Sequence, residues 1–332
     1  MTLKPLFVSL FILPLFAITA CAKEPATSVD SDGVPQTKAD LTTEEQQQLA
    51  DFVAQQKTNM RFIEGGSYEM GDFGSKVTIN GGGPIRSERD NKPLHKVTLD
   101  SFSMNAYKAT YSDFDIYSMA TGQEKVGMQK YNIKVRLDNA AAGINWQTAQ
   151  NYCQWLGQQL DVPMNLSTEA QWEYAARNRG KYVLFPTDNG HINGGRNIWT
   201  FDEKSNLSDK YRTSLAITTV GLYPPNPLGL YDMTNQNLEW MTDWYSEDYY
   251  ANSPEHNPQG PKTGTEKVVR SVNADWGSAQ NILANGSITI MRIKRLPTTP
   301  TDESEKKEHE GKSNYDYSTS ARCVANSTQA IN

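Results

Sequence analysis

Histidine, cysteine and any excess of basic charge are all scarce in this chain, and each shortage removes a class of function. Four histidines stand among 332 residues, at His95, His191, His256 and His309. No two are spaced i, i+4, so no helix presents a preformed histidine face to a metal. Lysine and arginine number 32 against 38 aspartates and glutamates. Nucleic acid is therefore not an expected partner, because its binding needs a concentrated positive surface. Beyond the first twenty residues no apolar run approaches the length of a membrane-spanning helix, roughly twenty residues. Cysteine occurs only at Cys21, Cys153 and Cys323.

What is present begins at the N-terminus. Leu6 to Ala17 is almost wholly apolar, follows Lys4 and is too short to cross a bilayer, which reads as the apolar region of an export signal. Ile18-Thr19-Ala20-Cys21 then sets small residues before a cysteine and resembles the lipobox of bacterial lipoproteins. Residues 1–20 are expected to be cleaved, leaving Cys21 as a lipidated first residue with enough acyl chains for stable anchoring. Ala22 stands where an inner-membrane retention signal would place aspartate, so the expected location is the periplasmic face of the outer membrane. In that oxidising compartment Cys153 and Cys323 can pair, closing a loop of more than half the chain for about 5 kcal/mol in the chain-entropy model. Two free buried thiols are the alternative.

Residues 21–41 are rich in Ser, Thr, Pro, Asp and Lys without periodicity and read as a solvated tether. Residues 42–60 hold a helix, with Thr42 and Thr43 before Glu44 and Glu45, and Leu49, Phe52 and Val53 at helical spacing. The folded domain is expected over 61–326, opening as strand, glycine turn and strand from Phe62 to Gly71. Val97 to Met104 alternates at period two and reads as one further strand. Thr148–Gln158 and Thr168–Arg177 read as helices, the second capped by Thr168 with Gln171. Past Arg177 the chain is dominated by Gly, Pro, Asn and aromatics, and the aromatic content favours a stretch that is packed yet irregular. The charge-dense stretch 297–318 reads as a mobile surface loop.

The blocks between these elements spell a family resemblance. Phe62-Ile63-Glu64-Gly65-Gly66, Met70-Gly71, Asn145-Trp146, Ser167-Thr168-Glu169-Ala170-Gln171-Trp172-Glu173-Tyr174 and Asn197-Ile198-Trp199 are followed by Gly229-Leu230-Tyr231-Asp232, Glu239-Trp240, Val268-Val269-Arg270 and Ala321-Arg322-Cys323. In that order they resemble the formylglycine-generating enzyme, or sulfatase-modifying-factor, family. The resemblance implies one α+β domain of mixed, sparse regular structure, related to the C-type lectin fold. It implies that Cys153 and Cys323 form a structural disulfide, and that the carboxylates of Glu169 and Glu173 serve architecture in salt bridges.

It also implies structural calcium, held by oxygen ligands. One site maps to Asn197, the carbonyl of Ile198, Asp209 and the carbonyl of Tyr211. The other maps to Asn235, Gln236, Asn237 and Glu239, where the altered side chains before Glu239 weaken it. The enzymes of the family hold copper(I) between two cysteines, and soft thiolates are not replaced well by oxygen or nitrogen ligands. Here the matching strand reads Arg270-Ser271-Val272-Asn273-Ala274-Asp275-Trp276, its glycines are gone, and no cysteine follows as far as Arg295. Neither copper nor the three-histidine iron centre of other relatives is expected. The expectation is a non-catalytic, lipid-anchored accessory or regulatory scaffold that binds a protein or peptide in the periplasm, as do silent relatives in secretion-system signalling. Asn273, Trp276, Arg292 and Arg295 would form the floor of its groove. The alternatives are an oxidoreductase with an unrecognised metal site and a lectin-like polysaccharide binder.

Overall fold

A computed structural model describes residues 28–128, 136–211, 219–235, 237–271, 288–298 and 318–331. The expected signal peptide, Cys21 and most of the stretch expected as a mobile loop lie outside the described residues. The first helix, α1 (Thr43–Asn59), starts where its cap chemistry places it: Thr42 Oγ1 accepts from Glu45 N at 3.2 Å while Glu45 returns a carboxylate oxygen to Thr42 N at 2.8 Å. Residues 28–41, expected as part of the tether, instead pack on the domain. Val34 and Leu41 are buried, Lys38 N donates to Ala120 O, and Trp155 Nε1 donates to Thr37 Oγ1. Two apolar side chains and a backbone satisfied by partners outweigh a polar composition.

Three small sheets carry the rest. β1 (Met60–Ile63), β4 (Phe102–Asn105), β10 (Cys323–Ala325) and β5 (Met164–Leu166) lie side by side in that order, joining the two ends of the domain. β2 (Gly66–Met70) and β3 (His95–Leu99) form an antiparallel pair. The third sheet runs β8 (Ile293–Arg295), β7 (Lys267–Arg270), β6 (Leu238–Trp244) and β9 (Thr319–Ser320). The alternation from Val97 to Met104, read as one strand, is thus divided between two sheets at Asp100 and Ser101. Gly65 N donates to Ser101 Oγ at this crossing, and a Cβ on Gly65 would stand 2.3 Å from Leu99 O, so only glycine fits the passage.

The helix α2 (Tyr111–Thr121) packs on α1, and α3 (Trp146–Leu160) packs on β5 and β10 of the first sheet. Phe52, Phe114, Tyr117, Tyr152 and Trp155 stack there into an aromatic cluster with ring centroids 4.5 to 6.2 Å apart. Cys153 of α3 is bonded to Cys323 of β10, which ties the helix to the sheet. A second core centred on Trp172, Phe102, Met241 and Val268 lies around α4 (Glu169–Ala176), whose N-cap is Thr168. A further helix, α5 (Phe201–Tyr211), stands in the stretch past Arg177 where the sequence shows little periodicity.

Candidate functional site

Helix α4 brings two carboxylates one turn apart into the interior, where Glu169 and Glu173 are 1% and 0% exposed. Arg270 at the end of β7 bridges them, with Nη1 at 2.7 Å from Glu169 and Nη2 at 2.8 Å from Glu173. Arg177 donates to the other oxygen of Glu173 at 2.8 Å, and Arg292 takes Glu169 through two bonds of 2.8 and 3.0 Å. Burial alone would raise the Glu169 carboxyl, but Arg292 and Arg270 outweigh it and hold the group below the usual carboxylate range. Glu169 therefore does not fit the part of a glycosidase-type acid, which must carry a proton at neutral pH. The neighbouring Asp243 goes the other way. Buried and facing Glu169, it is pushed up to about 7 although it accepts from Glu169 N and Thr242 Oγ1.

A second charged centre forms where β6 begins. Glu239, fully buried, accepts from Trp172 Nε1 at 2.9 Å and from Arg322 at 2.9 and 3.0 Å. Arg322 spends its remaining donors on the carbonyls of Asn105, Ala106 and Tyr231, which pins β10 to the loops around it. Lys108, 1% exposed, completes the centre. Its Nζ donates to Asn235 O at 2.7 Å, to Asn237 O and to Ser271 Oγ at 2.8 Å, and lies 3.6 Å from Glu239 Oε1. Burial pulls the lysine down to about 8 against the pull of Glu239, which leaves the ammonium form dominant at neutral pH.

These contacts bear on both expected calcium sites. At the second, the carbonyls of Asn235 and Asn237 and the carboxylate of Glu239 converge as the resemblance implies. They converge on an ammonium group, however, so the site does not fit calcium, while Gln236 lies outside the described residues. At the first, Asn197 is buried with its Oδ1 accepting from Asn193 N at 2.7 Å and its Nδ2 donating to Asp188 and His191 O. Ile198 O accepts from Gly195 N, Asp209 is exposed on α5, and Tyr211 closes that helix. Among the described residues no three of His, Cys, Asp and Glu gather as a metal cluster.

Of the expected groove floor, Asn273 and Trp276 lie outside the described residues. Arg295 is half-buried on β8 and donates to Ser318 Oγ at 2.9 Å. Arg292 corrects the reading: it is 6% exposed and committed to Glu169, because a buried carboxylate needs a compensating cation. A polar cleft of about 520 Å³ opens elsewhere, between the end of α1 and the start of α2, lined by Gln55, Asn59, Tyr107, Asp113 and Asn139 among others. Of its charged lining residues, Asp113 is engaged as the capping partner of Thr110 and Lys108 belongs to the centre at Glu239. Sequence reasoning missed Lys108 altogether. Its neighbours Ala106, Tyr107 and Ala109 carry no signal that separates a buried lysine from a surface one.

Known proteins resemble this chain in sequence and in fold. The family described as Sulfatase-modifying factor enzyme 1-like domain matches residues 45–329. Serine/threonine-protein kinase pkn1 of Chlamydia pneumoniae is 31% identical over 235 residues, which cover 64% of this chain and 32% of that protein. Formylglycine-generating enzyme of Mus musculus is 26% identical over 261 residues, covering 64% of this chain and 65% of the enzyme. The chain thus spans less than two thirds of the length of these curated relatives. The solved structure of PvdO from Pseudomonas aeruginosa shares the fold, with a TM-score of 0.55 at 23% identity over 80% of this chain and 93% of that one.

Proposed function

This chain belongs to the sulfatase-modifying factor enzyme 1-like family, and on that premise we propose that it is a non-catalytic member acting as a protein- or peptide-binding scaffold. One observation carries the reading. Cys153 and Cys323 are spent on each other, and the sequence from Ser271 to Arg295 contains no cysteine. The family's copper chemistry needs two thiolates on the metal, a donor set that this stretch does not offer. The architecture that would display a groove is meanwhile kept, since β7 and α4 remain locked through Arg270, Glu169 and Glu173. A surface displayed on this framework would then recognise a protein or peptide partner in the periplasm. Acylation at Cys21 would hold the scaffold on the outer membrane.

Mass spectrometry of a sulfatase-motif peptide, incubated with the full chain, copper(I) and oxygen, should show no conversion of its cysteine to the aldehyde. Turnover of that peptide would overturn the reading, because another metal site would then have to exist. The anchor is tested separately. Radiolabelled palmitate should enter the wild type and leave Cys21→Ser unlabelled, and equal labelling of both would remove the lipoprotein proposal.

A further inference from the structure

We propose that Lys108 is a built-in cation, whose ammonium group takes the place of calcium beside Glu239 so that this part of the fold holds without metal. The oxygen set around it is of the hard type that calcium selects: two backbone carbonyls, from Asn235 and Asn237, the Glu239 carboxylate and the Ser271 hydroxyl. Both carbonyls belong to the short turn before β6, so they can point inward whatever side chains Asn235 and Asn237 carry. An ammonium has three N–H donors, and here all three find acceptors at Asn235 O, Asn237 O and Ser271 Oγ. Ser271 Oγ donates its own hydrogen bond to Asp232 O at 3.2 Å, which leaves its lone pairs to the lysine.

The surroundings are richer in oxygen than the lysine alone requires. Oδ1 of Asp232, whose carboxyl acts on Lys108, is buried with no hydrogen-bond partner among the described residues. A surplus buried oxygen of this kind marks a place suited to a cation of higher coordination number than an ammonium. Charge decides which cation is present. Burial pushes the Asp232 carboxyl up, while Arg322 and Lys108 hold Glu239 down against its own burial, so at most two negative charges face the two cations. A calcium ion added beside the ammonium would set four positive charges against two negative ones in a buried site, whereas calcium in place of the ammonium would set three against two. The lysine and the metal therefore exclude each other, and removing the side chain should open a calcium site.

The test counts calcium bound per chain by equilibrium dialysis, using the full-length protein in detergent. Lys108→Ala should bind one calcium ion more than the wild type, and Glu239→Gln in that background should abolish the extra ion. Terbium offers a spectroscopic check, because Trp172 touches Glu239 and would sensitise an ion held there. Terbium luminescence excited through tryptophan should appear in Lys108→Ala, be competed away by calcium, and be absent at this site in the wild type and in Lys108→Met, whose longer side chain fills the space without charge. The difference between variant and wild type is unaffected by any ion held at Asn197 and Asp209. Equal calcium counts in Lys108→Ala and wild type would overturn the proposal, as would a wild-type ion that disappears with Glu239→Gln alone. If Lys108→Ala does not accumulate in folded form, refolding from denaturant makes the same comparison. A yield that rises with calcium over chelator supports the replacement, and equal failure in both shows a lysine that is structural only.

Discussion

Arg270→Met should cost about 3–5 kcal/mol of stability, the penalty for stripping one partner from a buried ion pair. This guanidinium bridges two buried carboxylates, each held by one further arginine, and it also lies 4.9 Å over the Trp172 ring, so both charge and packing are lost. The denaturant midpoint of the variant should fall far below that of the wild type in urea. Glu173 keeps its bond from Arg177 in that variant, so the coupling between Arg270→Met and Glu173→Gln in a double-mutant cycle measures the Arg270–Glu173 pair itself. Arg179→Ala provides the contrast. Its pair with Glu64 has both side chains well exposed, at 42% and 70%, and should be worth no more than about 1 kcal/mol. Equal midpoints for Arg270→Met and Arg179→Ala would show that the interior network is not what holds α4 to the third sheet.

That network also marks the limit of what periodicity and local motifs can convey. The helix starts at Thr42 and Thr168 were readable, because a cap is formed between residues three apart and its chemistry is written side by side. The strands of Phe62 to Met70 were readable for the same reason. Arg292 was misplaced because its partner Glu169 is 123 positions away, and nothing near either residue announces the other. Lys108 meets Asn235 across 127 positions and was invisible on the same grounds. The alternation at Val97 to Met104 correctly gave extended chain, but a change of sheet at Asp100 leaves the period unbroken. Ser271 shows a subtler case. It stands where the family resemblance implies glycine and keeps a left-handed φ of 71°, so the backbone shape outlasted the residue that normally permits it. Its hydroxyl on Lys108 gives that unusual conformation a partner.

Replacing both cysteines, Cys153→Ala with Cys323→Ala, should lower stability by about 3–5 kcal/mol and the thermal midpoint by roughly ten degrees. The closed loop is 170 residues, so the unfolded chain gains most of the freedom that the bond withholds. Alanine is the informative replacement. Both sulfurs are buried, Cys153 beside Tyr152 and Trp155 and Cys323 in the first sheet, and serine would add the cost of two buried hydroxyls to that of the lost link. Reduction of the wild type should reproduce the larger part of the shift, because it opens the loop while leaving both sulfurs in place. A double variant that melts within about two degrees of the wild type, a shift on the order of 1 kcal/mol or less, would show that the bond adds little beyond packing. The experiment also bears on function. The same two sulfurs that fasten α3 to β10 are the only cysteines in the sequence from residue 61 to 326, so the proposed non-catalytic reading expects their bond to persist when the folded chain is offered copper(I).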